Sequence, residues 1–188
     1  MSLAADQRAV AALLAGTEIP RHPDPSYVRD LQASPRLGLL RDISLWWRAF
    51  RVTRYCPLTA AALERAGVFE SILEQFVRAG GVSPLIEQLG PAFLAFVLER
   101  HPRGLVHDVA RLEDALLRAR FGAVEEVELE WTTDPRAVLP SLVSGAPIQR
   151  DPPRVRFKIM IGPHLSHYFE VTQITTAATP SKNISTSA

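Results

Sequence analysis

At Gly122 the hydrophobic pattern of this chain changes period, and that change limits the fold more than any other feature. Before it, apolar residues recur every three or four positions; after it, they alternate with polar ones. A helix repeats every 3.6 residues and a strand every two, so the two parts are written for different secondary structure. In the first part, Leu37, Leu40, Ile43, Trp47 and Phe50 form one stripe, expected to face the core. Ser34-Pro35 opens that helix as cap and first residue, and Pro57 stops it after Tyr55. Ser2 is expected to cap an earlier helix in which Val10, Leu13 and Leu14 share a face. The run 16–26, with three prolines, reads as a connector, followed by a short turn of helix at Ser26–Leu31. Further helices are expected at 59–66, at 68–79 (closed by Gly80-Gly81), from Ser83-Pro84 to Arg100 with a break or kink at Gly90-Pro91, and from Leu105 to Arg120.

In the second part, Val127, Leu129 and Trp131 alternate with Glu126, Glu128 and Glu130. Val155, Phe157, Ile159 and Ile161 alternate with Arg154, Arg156 and Lys158, and Phe169 and Val171 alternate with Tyr168, Glu170 and Thr172. These are three half-buried strands. Asp134 is placed to cap a short helix from Pro135 to Val143. The charge rows order the strands, because opposite charges across a ladder stabilise it and like charges do not. The basic second strand therefore belongs in the middle, with Lys158 near Glu130 or Glu128 on one side and Glu170 on the other. The expected fold is α+β: a helical body over 1–122, a small three-stranded antiparallel sheet with one helix over 123–176, and an extended tail over 177–188.

Charge and cysteine content narrow the function classes. The chain carries 21 basic and 20 acidic residues among 188, a net +1, so a nucleic-acid partner is not expected. Cys56 is the one cysteine, which excludes an internal disulfide and any multi-cysteine metal site. No apolar run is long enough to span a membrane and the start does not read as a targeting segment, so the expectation is a soluble, cytoplasmic protein. His164 and His167 have a metal-site spacing but lie in a turn without a third ligand, and are read as exposed turn residues. His107, in the first turn of its helix, is read as neutral and structural. Cys56 is read as a structural thiol rather than a nucleophile, since no histidine stands beside it in sequence. Arg78-Ala79-Gly80-Gly81 is a helix stop, not a phosphate loop. Arg41, Arg48, Arg51 and Arg54 lie on one helix and read as a solvated face, or as a docking face for an acidic surface or phosphate backbone. Trp47 continues the apolar stripe into the core. Trp46 points elsewhere, as an interface anchor. Trp46, Arg48 and Arg51 are the expected partner contacts.

No catalytic constellation emerges. A small sheet with open edges can accept an extended peptide as an added strand. The third strand carries one charge, Glu170, and lacks the lysines and prolines that blunt an exposed edge. Tyr168, Phe169, Glu170, Val171, Thr172 and Gln173 are therefore the expected peptide-binding residues. The alternative class is a helical DNA-binding regulator using the Arg41–Arg54 helix.

Several stretches together carry a family resemblance: Tyr55-Cys56-Pro57-Leu58, the helices with Phe69 and Phe76 and with Phe93 and Phe96, and Asp108-Val109-Ala110-Arg111-Leu112-Glu113-Asp114-Ala115. They resemble a bacterial family that carries a DNA-binding-domain label and accompanies iron-dependent peptide-modifying enzymes. With its shortened three-strand end, the chain looks most like the MbnC-type partner proteins of methanobactin biosynthesis, over residues 30–175. The resemblance implies a heterodimer with a multi-iron TIM-barrel oxygenase of the MbnB type. The pair uses dioxygen to convert cysteines of a ribosomal precursor peptide to oxazolone–thioamide groups, which bind copper in the finished product. It implies no cofactor in this chain, iron in the partner subunit, no catalytic residue here, and a sheet end similar to peptide-recognition domains that binds the precursor's leader.

Overall fold

The computed structural model describes residues 2–80, 86–122, 126–148 and 155–175. Among these, α1 (Leu3–Ala15), α2 (Pro25–Gln32), α3 (Leu37–Tyr55), α4 (Pro57–Arg65), α5 (Phe69–Arg78), α6 (Ile86–Arg100) and α7 (Leu105–Arg120) precede β1 (Val127–Trp131). Then follow α8 (Pro135–Ser144), β2 (Val155–Ile161) and β3 (Phe169–Thr175). The fold is α+β, with the period change at Gly122 marking the passage from helices to sheet. The expected tail and the Ser83-Pro84 helix start lie outside the described residues. The chain forms two compact units, Met1–Asp114 and Ala115–Ala188, divided within α7.

In the first unit the core is built from α4, α5, α6 and the apolar side of α7. Leu63, Leu73, Phe76, Phe93, Leu94 and Leu112 are fully enclosed. Phe76 packs edge-on against Phe93 and Phe96, both at 5.3 Å between centroids. Such aromatic edge contacts add about 0.5–1.5 kcal/mol beyond the area they bury. The helix starts differ in detail from the sequence reading. Ser2 occupies the cap position of α1 without a side-chain cap bond. α2 is capped by Asp24, whose carboxylate accepts the Ser26 and Tyr27 amides. α3 begins at Leu37 rather than at Pro35, because Ser34 and its successors form a turn in which the Ser34 hydroxyl accepts the Arg36 amide. Cys56 ends α3 and starts α4 at once, so α4 opens at Pro57, two residues earlier than expected. α6 runs unbroken through Pro91.

In the second unit the strand order is β1-β2-β3, both pairs antiparallel, as the charge rows require. Leu129, Trp131, Phe157, Ile159 and Ile161 are buried on one face. Asp134 caps α8 by accepting the Arg136 amide, and the Arg136 guanidinium lies over the Phe157 ring. On the outer face Lys158 is paired across the ladder with Glu130 and its ammonium reaches Glu128, while Arg156 reaches Glu130. On the other side Lys158 faces Thr172, not Glu170; Glu170 stands opposite Met160. The one-pair offset is set by the hairpin, whose Gly162 amide donates to the Tyr168 carbonyl.

Candidate functional site

The β3 edge is built by that hairpin. In an antiparallel pair, hydrogen-bonded and non-bonded residue pairs alternate. Gly162–Tyr168 is a bonded pair. Stepping along the register, Glu170, Thr172 and Ile174 turn their amides to β2, while Phe169, Val171 and Gln173 turn theirs to the open side. Phe169 and Val171 are half-buried, and Glu170, Thr172 and Gln173 are exposed. Tyr168 is not a strand residue: it belongs to a single 3-10 turn, Ser166–Tyr168, and its side chain is exposed. The loop puts two consecutive non-glycine residues in the left-handed region, His167 at φ 57° and Tyr168 at φ 68°. That conformation crowds Cβ against the backbone and costs about 1–2 kcal/mol per residue. The turn is therefore held by its closing hydrogen bonds rather than by local preference. His164 and His167 are exposed, and His164 pairs with Glu126 at 3.1 Å. The opposite edge, β1, has its glutamate row already engaged by Lys158 and Arg156.

α3 is oriented opposite to expectation. Its apolar stripe faces solvent: Leu39, Leu40, Ile43, Trp46, Trp47 and Phe50 are 45–60% exposed. Trp47 is thus not a core residue. Trp46 stacks on Phe50 (5.9 Å, 15°), and Trp47 meets both edge-on at 5.1 and 5.8 Å. The inward side holds buried Val52 with half-buried Leu45 and Ala49. Two of the arginines share that inward side. Arg41 donates from Nε to the Leu13 carbonyl in the last turn of α1. Arg48 is half-buried, and burial pulls its guanidinium below its ordinary value. Arg41, Arg48 and Arg78 line a cavity of about 210 Å³ with Asp42, Glu74 and Leu45. Long arginine stems can cover apolar surface while their heads stay wet, which is how this side packs. Of the expected partner contacts, Trp46 lies on the exposed stripe, Arg51 on its flank, and Arg48 on the other side.

Two groups that the sequence reading passed over stand out. Glu113 on α7 is buried, and its two oxygens accept the Leu58 and Thr59 amides, each at 2.9 Å. It caps α4 from another helix, where Cys56 makes no side-chain cap. Burial pushes the Glu113 carboxyl above its ordinary value, against the pull of these amides. The signal was available: Glu113 falls four residues after Val109, on the buried side of α7. His22 is also enclosed, its Nε2 2.9 Å from Asp6 and its ring stacked on Tyr27. The Cys56 thiol is fully buried, points to the Gly90 carbonyl at 3.7 Å, and is pushed far up by burial and by Glu113. His107 bonds the His101 carbonyl through Nδ1. Among the described residues no group of three or more His, Cys, Asp or Glu is placed to hold a metal ion, and no helix is long and apolar enough to cross a membrane. Compared with known proteins, the chain matches no family model, no curated protein and no solved structure.

Proposed function

We propose that this chain is a non-catalytic, cytoplasmic partner subunit that binds the leader of a ribosomal precursor peptide and forms a heterodimer with a multi-iron oxygenase. The modified product is a methanobactin-type peptide, with cysteines converted to oxazolone–thioamide groups. The family resemblance over residues 30–175 suggests the pathway. The observation that carries the peptide-binding part is the β3 edge, which no other described strand pairs, with the Phe169, Val171 and Gln173 amides turned away from β2 and a strand free of lysine and proline. A peptide laid there gains backbone hydrogen bonds from those amides, and Glu170 offers a carboxylate to a basic side chain of the added strand. Iron is assigned to the partner subunit.

The test is co-production of this chain, the oxygenase subunit and the precursor peptide, with mass spectrometry of the peptide. Modification that requires both proteins supports the reading; modification by the oxygenase alone refutes it. Proline substitutions locate the leader. Val171→Pro removes an outward amide and abolishes leader binding while the sheet persists. Thr172→Pro removes a ladder bond to β2 and destabilises the sheet itself. Normal leader binding by Val171→Pro, with loss on charge reversal at Glu128 and Glu130, would move the site to β1.

A further inference from the structure

We infer that the solvent-facing stripe of α3 is the docking surface for the partner protein, and that the partner presents an apolar groove rimmed by carboxylates. This rests on the heteromer proposed above and adds which surface makes it and what the other side looks like. The first argument is area. Two tryptophans and a phenylalanine, each worth about 150–250 Å² when fully buried, are about half exposed here beside three aliphatic side chains. Together they offer on the order of 600 Å², the upper end of what a monomer leaves bare and most of the roughly 800 Å² that one side of a stable interface contributes.

The second argument is pre-organisation. Trp46, Trp47 and Phe50 already hold one another in stacked and edge-on contact, so little side-chain freedom is lost on docking. The third is charge. At about 100° per residue, Arg54 falls on the line of Ile43 one end along, and Arg51 on the flank. Arg36 precedes the stripe at its other end. The single acid of α3, Asp42, is exposed one turn before Trp46 on the flank opposite Arg51 and also lines the cavity. The apolar face thus carries arginines at both ends and on one flank against one acid on the other, a net positive border whose complement is a groove with net negative charge at its rim. Rigid aromatic anchors with arginines at both ends and on one flank suit a protein groove with fixed pockets better than a fluid lipid surface.

The experiment uses the full chain with the co-produced oxygenase subunit. Trp46→Ser with Phe50→Ser is expected to weaken association by about 100-fold or more, since such anchors dominate interface energy. Arg51→Glu with Arg54→Glu is expected to slow association and remove most of its salt dependence. Trp46, Phe50 and Arg54 are exposed and Arg51 is half-buried, none of them in the core, so the urea midpoint and circular dichroism of each variant stay near the parent's. The unmodified protein supplies a second readout: Trp46 and Trp47 are exposed and Trp131 is buried, so complex formation shifts tryptophan emission to the blue. If the parent chain binds no oxygenase subunit, the proposed function fails. If the parent binds and both α3 variants bind equally, with no emission shift, the α3 inference fails and the function stands. Self-association of the parent by light scattering, lost in Trp46→Ser/Phe50→Ser, would replace the partner with a second copy. Pelleting with phosphatidylcholine–phosphatidylglycerol vesicles, lost in the same variant, would replace it with a membrane. Either result overturns the inference.

Discussion

Removing the Glu113 carboxylate tests whether one side chain on α7 holds the start of α4. In Glu113→Ala the buried Thr59 amide and the part-buried Leu58 amide lose their acceptors. A buried donor left unpaired costs about 1–3 kcal/mol; Thr59 bears this in full and Leu58 in part, so the two cost about 2–4 kcal/mol. Loss of a negative charge at a helix N-terminus adds about 0.3–1 kcal/mol. Relief of the carboxylate's own burial, which pushes its pKa upward, works the other way. We expect a net loss of about 3 kcal/mol, equivalent to a fall in Tm of about 6–12 °C for a chain of this size. Glu113→Gln keeps one acceptor oxygen and sets an amide NH2 against a backbone N–H, so it should lose about half as much. Urea unfolding followed by circular dichroism measures both, with unchanged slope and shifted midpoint. The pH dependence carries a sign. Glu113 holds its proton more tightly in the folded state than at its ordinary value of 4.5. Its contribution is therefore complete below that value and declines as pH rises through the folded one. Glu113→Gln lacks this titration, so the difference between parent and variant narrows as pH rises. Two variants within about 0.5 kcal/mol of the parent, the range of an ordinary surface substitution, would refute the cap.

The remaining expectations are more local. The Cys56 thiol should not react with a disulfide reagent in the native chain and should titrate as one thiol on unfolding, because burial both shields it and suppresses the thiolate. His167→Gly should raise stability by about 1 kcal/mol in thermal unfolding, since an exposed side chain is given up and a left-handed backbone is relieved; a loss would mean that the imidazole has a contact of its own. Lys158→Glu should cost about 0.5–1 kcal/mol by setting a third acid against Glu128 and Glu130, with high salt reducing the penalty.

Much of the fold was legible because it rests on local rules. The alternation after Gly122 placed the strands, and opposed charge rows placed β2 between its neighbours. Asp134 before Pro135 marked a helix start that the carboxylate does cap. The orientation of α3 was not legible, for a physical reason. A periodic stripe says which residues share a face, not whether that face meets the core. Here the opposite face supplied Leu45, Ala49 and Val52 together with arginine stems, enough to pack inward and leave the richer stripe outside. The offset of Glu170 from Lys158 depends on how many residues the hairpin consumes, which alternation cannot count. Glu113 was missed because an acid on a helix reads as solvated until a second helix brings it unpaired amides. The β3 edge was legible as a bare strand; which amides point outward came only from the Gly162–Tyr168 bond.

The outward stripe of α3 also sets the terms on which a cell keeps this chain. Exposed tryptophan, leucine and phenylalanine in one patch are what chaperones and proteases read as an unfinished fold, although here the fold is finished. If a partner covers the stripe as proposed, copies made in excess of that cover would stay visible to quality control, whereas covered copies would be hidden. The steady-state amount of the chain would then follow the amount of its cover, and six exposed side chains on one helix would be the gauge.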